Sequence, residues 1–227
     1  MPTQLNATET PDAPDWHAAF ATAVATLPDT VEIPAEHTPE GSRLIEFRRV
    51  CPEKFMMRVD RSELEDPAAF DAVAEWTGHY PGPLAYGTTG TSKTFAAWSA
   101  LGRLYVRQGR TFAWFPVRRL ITSMQAYEEQ NQAEEFFRQY SLCRVLFVDD
   151  IDKINWQFES QVALLWSFYD WIYRTKKPCI TTTNQSREWW TEKMGEPFAR
   201  RLFDDAQRPV RFTKKIERGM GDGRRSA

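Results

Sequence analysis

Cysteine and histidine are scarce in this sequence, three of each among 227 residues. Cys51, Cys143 and Cys179 are isolated, odd in number and without C-x-x-C spacing. That excludes a disulfide frame and a cysteine zinc site, and suits a reducing compartment. His17, His37 and His79 are scattered, with no H-E-x-x-H spacing, so each is expected in a structural role. Long apolar runs are lacking too: no segment approaches the ~18 to 20 consecutive apolar residues of a membrane span. The opening MPTQLNATET has neither the basic start nor the apolar stretch of a signal peptide. The expectation is a soluble, cytoplasmic protein. Positive charge is not in excess either, with 29 Lys and Arg against 31 Asp and Glu and a net charge of −2. Any nucleic-acid contact must therefore come from local basic clusters. No internal repeat appears.

What is present is enough for a sizeable core, with an aromatic content that is high for a globular chain. Residues 1–40 are rich in Pro, Thr, Ala and acid and read as a flexible arm. Inside it Trp16, Phe20, Val24 and Leu27 fall on one face of a short helix (about 15–27) with Asp15 as N-cap. That helix either packs on its own domain or docks on a partner. A core domain over 41–215 and a frayed tail over 216–227 complete the expected organisation. Within the core, Pro67 opens a helix to Trp76. Leu84-Ala85-Tyr86 is a short apolar strand, and Thr94 to Arg107 is helical. Thr111–Phe115 is strand-like, and Leu120–Tyr140 reads as one long polar helix. Val145–Val148 is a buried-strand signal, Gln161–Tyr173 an aromatic-rich helix, Cys179–Thr183 a β-branched strand, and Val210–Phe212 a last short strand. Strand alternating with helix predicts an α/β fold with a parallel sheet covered on both faces.

In such sheets ligands bind at the carboxyl ends of the strands. Three sequence features fall there. Gly87-Thr88-Thr89-Gly90-Thr91-Ser92-Lys93-Thr94 follows the first strand and opens a helix, matching the phosphate-binding template G-x-x-x-x-G-K-[ST] at every defined position except Ser92. In that template backbone N–H groups wrap the phosphates, Lys93 neutralises the β/γ oxygens and the Thr94 hydroxyl ligates Mg²⁺. Asp149-Asp150 ends the buried strand: Asp149 is placed to hold the metal from the other side, and Asp150 to orient or deprotonate an attacking water. Asn184, at the end of the next strand, can sense the γ-phosphate through hydrogen bonding. Together these residues predict a nucleotide site for ATP or ADP with Mg²⁺.

GTTGTSKT, then LFVDDIDK, ITTTN and PFARRLFD resemble the AAA+ ATPases of the DnaC/IstB group, over about Val50 to Phe212. These are bacterial and phage replicative helicase loaders and the ATP-binding partners of certain transposases. The resemblance implies a P-loop NTPase with the AAA+ three-layer core, a parallel sheet of about five strands and no C-terminal helical lid. It makes residues 87–94 Walker A, Val145–Asp150 Walker B and Asn184 the sensor-1 residue. Arg201 matches the arginine finger that completes a neighbouring subunit's site, with Arg200 as runner-up. The implied function is an ATP-dependent assembly switch that delivers a replicative helicase onto single-stranded DNA, as a homo-oligomer, in a bacterial cytoplasm or that of a phage's host. Alternatives are a transposase helper and a nucleotide-insensitive adaptor with a decayed P-loop. Two departures bear on turnover. Asp150 stands where fast AAA+ motors have glutamate, and Ser92 replaces a glycine that brings no Cβ to the phosphates. A slow ATPase is expected. Arg103, Arg107 and Arg110 precede Phe112 and Trp114, and Arg118-Arg119 follow. These supply the ingredients of a single-strand-binding surface, although the same pattern fits a core strand between charged turns.

Overall fold

The computed structural model describes residues 38–56 and 60–214. The Trp16–Leu27 helix read from the sequence, and the tail over 216–227, lie outside the described residues. The chain divides into two compact units, one of Met1–Arg58 with Gly102–Gly109, the other of Val59–Leu101 with Arg110–Ala227.

In the first unit α1, Pro39–Val50, starts where Thr38 Oγ1 accepts from the Gly41 N–H at 3.0 Å and proline occupies the first turn. Both are strong start signals, lying at the boundary drawn near residue 40. Arg43 Nε donates to Val106 O at 2.8 Å, and the Tyr105 hydroxyl donates to Glu46. A Cβ on Gly102 would stand 3.0 Å from the Phe47 ring, so a side chain there would make the ring give way by a few tenths of an ångström.

The second unit is built on five parallel strands in the order β2-β3-β4-β1-β5. The strands are β1 (Gly82–Gly87), β2 (Phe112–Pro116), β3 (Val145–Asp149), β4 (Cys179–Thr183) and β5 (Gln207–Phe212). Parallel strands need crossovers, here α3 (Lys93–Gln108), α4 and α5 (Val117–Glu129 and Ala133–Ser141), α6 (Glu159–Thr175), and α7 and α8 (Arg187–Met194 and Glu196–Arg200). Helix α2, Pro67–Ala74, precedes β1 and is capped by Asp66, whose Oδ1 accepts from the Ala69 N–H. Every residue of Val145–Val148 is fully buried, which is why β3 reads as an unbroken apolar run. Gly82 in β1 cannot carry a side chain, because its Cβ would sit 1.9 Å from Cys179 O of the neighbouring strand. The architecture is the expected α/β P-loop sheet of five strands, and no helix follows β5 among the described residues.

The helix expected over Leu120–Tyr140 is two helices. At about 100° per residue, a straight helix would place Tyr127 and Phe136 half a turn apart, yet their rings pack at 5.7 Å. A turn at Asn131, with φ of 55°, makes that possible, since asparagine tolerates the left-handed region. Strand β5 starts at Gln207 rather than Val210, because its parallel pairing with β1 already begins at Gly82↔Gln207. A single π turn, Arg201–Asp205, feeds it. Phe112 is buried and packs edge-on against Trp98 at 6.2 Å, while half-buried Trp114 packs against the same ring at 5.1 Å.

Candidate nucleotide site

β1 ends in the loop Gly87–Ser92, and α3 begins at Lys93. The loop is wound by three positive φ angles, 128° at Gly87, 80° at Gly90 and 64° at Ser92. Glycine takes such angles freely. Serine in the left-handed region is strained by about 1–2 kcal/mol, so the odd residue of the motif sits in a glycine conformation. Lys93 is 6% exposed. Its ammonium donates to Gly87 O at 2.9 Å, Thr88 O at 2.7 Å and Thr91 Oγ1 at 3.4 Å. Burial lowers its pKa, against the pull of Asp150, Asp152 and Asp149. Thr91 Oγ1 donates back to Thr88 O at 2.7 Å, closing the loop on itself.

The carboxyl edges of β3 and β4 meet this loop. Thr94 Oγ1 donates to Asp149 Oδ1 at 2.9 Å, so the P-loop threonine and the strand-end acid are already joined. Thr182 of β4 also donates to Asp149 Oδ1, at 2.5 Å, and accepts from the Asp150 N–H at 2.8 Å. This threonine was missed in the sequence because a β-branched strand residue looks merely structural. Asp150 takes a left-handed conformation, φ 55°, turning the chain into the 3-10 turn Ile151–Lys153. Burial and then the Asp152 charge raise its pKa, opposed by Lys153, Lys93 and a hydrogen bond from Asn184. Asp152 is buried, and its carboxyl accepts from Thr183 Oγ1, Asn184 N and Asn184 Nδ2. Burial works against ionisation there, but those bonds and Lys153 hold its pKa below the ordinary value. The structure thus brings Lys93, Thr94, Asp149, Asp150 and Asn184, the residues read from sequence, to one edge of the sheet, and sets Thr182 and Asp152 beside them.

The remaining loop residues, Thr88, Thr89 and Gly90, are exposed. Lys214 Nζ stands 3.9 Å from the position a Cβ on Gly90 would take. The preceding residue is tied down: Asp66 Oδ2 accepts from both the N–H and the hydroxyl of Thr213, at 3.1 and 2.9 Å. Exposed Lys214 thus lies beside the loop. Arg201 makes its contacts on α6 instead: its guanidinium pairs with Asp170 and lies over the Trp166 and Tyr173 rings at 5.1 and 5.3 Å. Arg200 is exposed and pairs with Asp205 at 3.2 Å.

The arrangement fits an ATP·Mg²⁺ guest: a wound loop with a buried lysine, and a hydroxyl and carboxylate joined where a cation would lie. The sequence profile of the IstB-like ATP binding proteins matches residues 73–205, more than half of the chain, from the end of α2 through the π turn. The chain belongs to this family. Comparison with functionally curated proteins finds no match. Among solved structures, the IstB-like chain is similar to the DnaC helicase loader, with a TM-score of 0.58 at 16% identity, covering 71% of this chain and 100% of that one. DnaI gives 0.54 at 15% identity, covering 72% and 95%. The replication initiator DnaA bound to AMPPCP and single-stranded DNA gives 0.51 at 17% identity, covering 64% and 44%. At these identities the likeness is one of fold, the AAA+ P-loop core.

Proposed function

We propose that this IstB-like ATP-binding protein is a slow, Mg²⁺-dependent ATPase that acts as an assembly switch and delivers a replicative helicase onto single-stranded DNA. The observation that carries the reading is the 2.9 Å hydrogen bond between Thr94 of the P-loop and Asp149 at the end of β3. It joins two residues far apart in sequence in the pair that holds a nucleotide-bound metal.

In this reading the loop amides of residues 87–92 and the start of α3 bind the phosphates. Lys93, whose donors now serve loop oxygens, turns them to the β/γ oxygens. Thr94 and Asp149 would hold Mg²⁺, which when bound neutralises charge on the transferred phosphoryl group. Asp150 orients the attacking water. Its side chain is one methylene shorter than that of glutamate, which keeps turnover slow. Asn184 reports on the γ-phosphate. Arg201 acts in trans on a neighbouring copy, which couples hydrolysis to assembly; its release from Asp170 is part of that step. A helicase is favoured as client because the similar solved folds include a helicase loader, and residues 15–27 are the proposed docking helix.

Titration of a fluorescent ATP analogue with and without Mg²⁺, on the wild type and Lys93→Ala, tests the site. Saturable, Mg²⁺-strengthened binding that Lys93→Ala abolishes is expected, and no saturable binding at millimolar nucleotide overturns the reading. Co-purification with a replicative helicase and with a transposase then separates the two clients. Capture of the transposase alone refutes the helicase assignment, and removing residues 1–40 should abolish the helicase complex but spare nucleotide binding.

A further inference from the structure

The carboxyl edge of the sheet contains a further acid outside the nucleotide motifs. Asp152 is 6% exposed. Its Oδ1 accepts from Thr183 Oγ1 at 3.0 Å and from the Asn184 N–H at 2.9 Å. Its Oδ2 accepts from Asn184 Nδ2 at 3.4 Å and lies 3.1 Å from Lys153 Nζ. Thr183 is the last residue of β4 and fully buried, and Asn184 follows it directly. The Thr183 hydroxyl in turn accepts from the Gln185 N–H at 3.1 Å, so the whole turn after β4 is tied to one carboxylate.

We propose that Asp152 is a positioning residue for Asn184, fixing which end of that amide faces the γ-phosphate and so governing hydrolysis rather than nucleotide binding. The proposal rests on the ATPase reading above. The terminal torsion of an asparagine is broad, and its oxygen and nitrogen exchange places by a half rotation. An ionised carboxylate accepts and cannot donate, so only the nitrogen can face Asp152. One amide N–H is committed to that contact. Asp150 also accepts from the Asn184 side chain, so the two carboxylates together hold the nitrogen end, and a neutral residue at 152 would remove one of the two groups that enforce this choice. Burying a carboxylate is costly unless its lone pairs are used. Here two of the four contacts go to the backbone and side chain of Asn184, and the others to Thr183 and Lys153 beside it.

Asp152→Asn is the direct test, because it keeps the shape and sets a donor against the Asn184 amide. Single-turnover hydrolysis should fall about 10- to 100-fold, while the dissociation constant for ATP stays within about threefold. Asn184→Ala should lose a similar amount. Adding Asp152→Asn to Asn184→Ala should cost no more than about twofold further, the tolerance of an uncoupled site. Wild-type hydrolysis in Asp152→Asn, losses that multiply in the double variant, or an ATP affinity that falls in step with the rate would each overturn the proposal. A wild-type protein that binds but never hydrolyses ATP overturns the ATPase reading and this proposal with it. A wild type that hydrolyses beside an unaffected Asp152→Asn overturns only the second. Should Asp152→Asn fail to fold, NMR of the wild type decides. The side-chain amide pair missing from the Asn184→Ala spectrum should show two well-separated, exchange-protected protons. Free-amide shifts with fast exchange refute the contact.

Discussion

Replacing Ser92 by glycine separates two ways in which a P-loop can be damaged. Ser92 already holds φ at 64°, the angle that the motif's glycine would take. The left-handed turn is thus kept at this position, and the penalty is strain stored in the folded chain. That strain is about 1–2 kcal/mol for a residue with a Cβ. Glycine would give back about 0.4–1 kcal/mol through the greater freedom of its unfolded chain, leaving a net gain of about 1 kcal/mol. For a chain of this size that corresponds to a Tm rise of ~2–4 °C. If the loop keeps the same angle when nucleotide binds, the strain cancels between free and bound states. The ATP dissociation constant should then move by less than about threefold, below 0.7 kcal/mol. Differential scanning fluorimetry without nucleotide, paired with fluorescent-analogue titration, reads both quantities. Ser92→Ala is the control, since it keeps the Cβ and loses only the hydroxyl, and it should show no gain in Tm. A Ser92→Gly protein with an unchanged or lower Tm refutes the strain argument. Binding tightened tenfold or more shows instead that the Cβ obstructs the phosphates, which was the expectation from sequence.

Lys214→Ala should weaken ATP binding by up to about fivefold, the range of an exposed charge, with an effect that shrinks as salt rises. A salt-independent change, or none, removes Lys214 from the site. The Asp66 carboxyl meets a burial penalty, but hydrogen bonds from Ala69 and from the hydroxyl and N–H of Thr213 hold its pKa below the ordinary value. It therefore contributes stability above the unfolded carboxylate range, and this is lost as pH falls through the lowered folded value. Urea melts from pH 6 to 3 should show a shallower acid limb in Asp66→Asn, and superimposable limbs count against the clamp. Arg201→Ala should leave nucleotide binding intact but remove the concentration-dependent part of turnover, whereas Asp170→Asn, which frees the guanidinium, should raise it. Turnover measured against protein concentration checks both, and an Arg201→Ala protein whose specific activity still climbs with concentration rules out Arg201 as the trans cation.

The parts of the site legible in sequence are those whose chemistry is local. Gly87, Gly90, Lys93 and Thr94 lie within one loop and helix start, and spacing alone determines that their groups face one guest. Val145–Val148 is apolar on both faces because it is buried on both, so Asp149 is marked by the break in that run. Asn184 is marked by the end of a β-branched strand in the same way. The polar, helical pattern of Leu120–Tyr140 gave helix but not the turn at Asn131, because the phase shift that demands it follows from the Tyr127–Phe136 packing. Tertiary structure alone decided which hydroxyls and charges reach these residues. Thr182 meets Asp149 across 33 residues of sequence, and Asp66 fixes Thr213, the neighbour of Lys214, across 147. Asp152 reads in the chain as one more acid after a strand. It becomes the partner of Asn184 only because parallel pairing sets the ends of β3 and β4 side by side. Sequence determines hydrogen-bonding capacity and local backbone preference; the sheet's strand order determines which capacities meet.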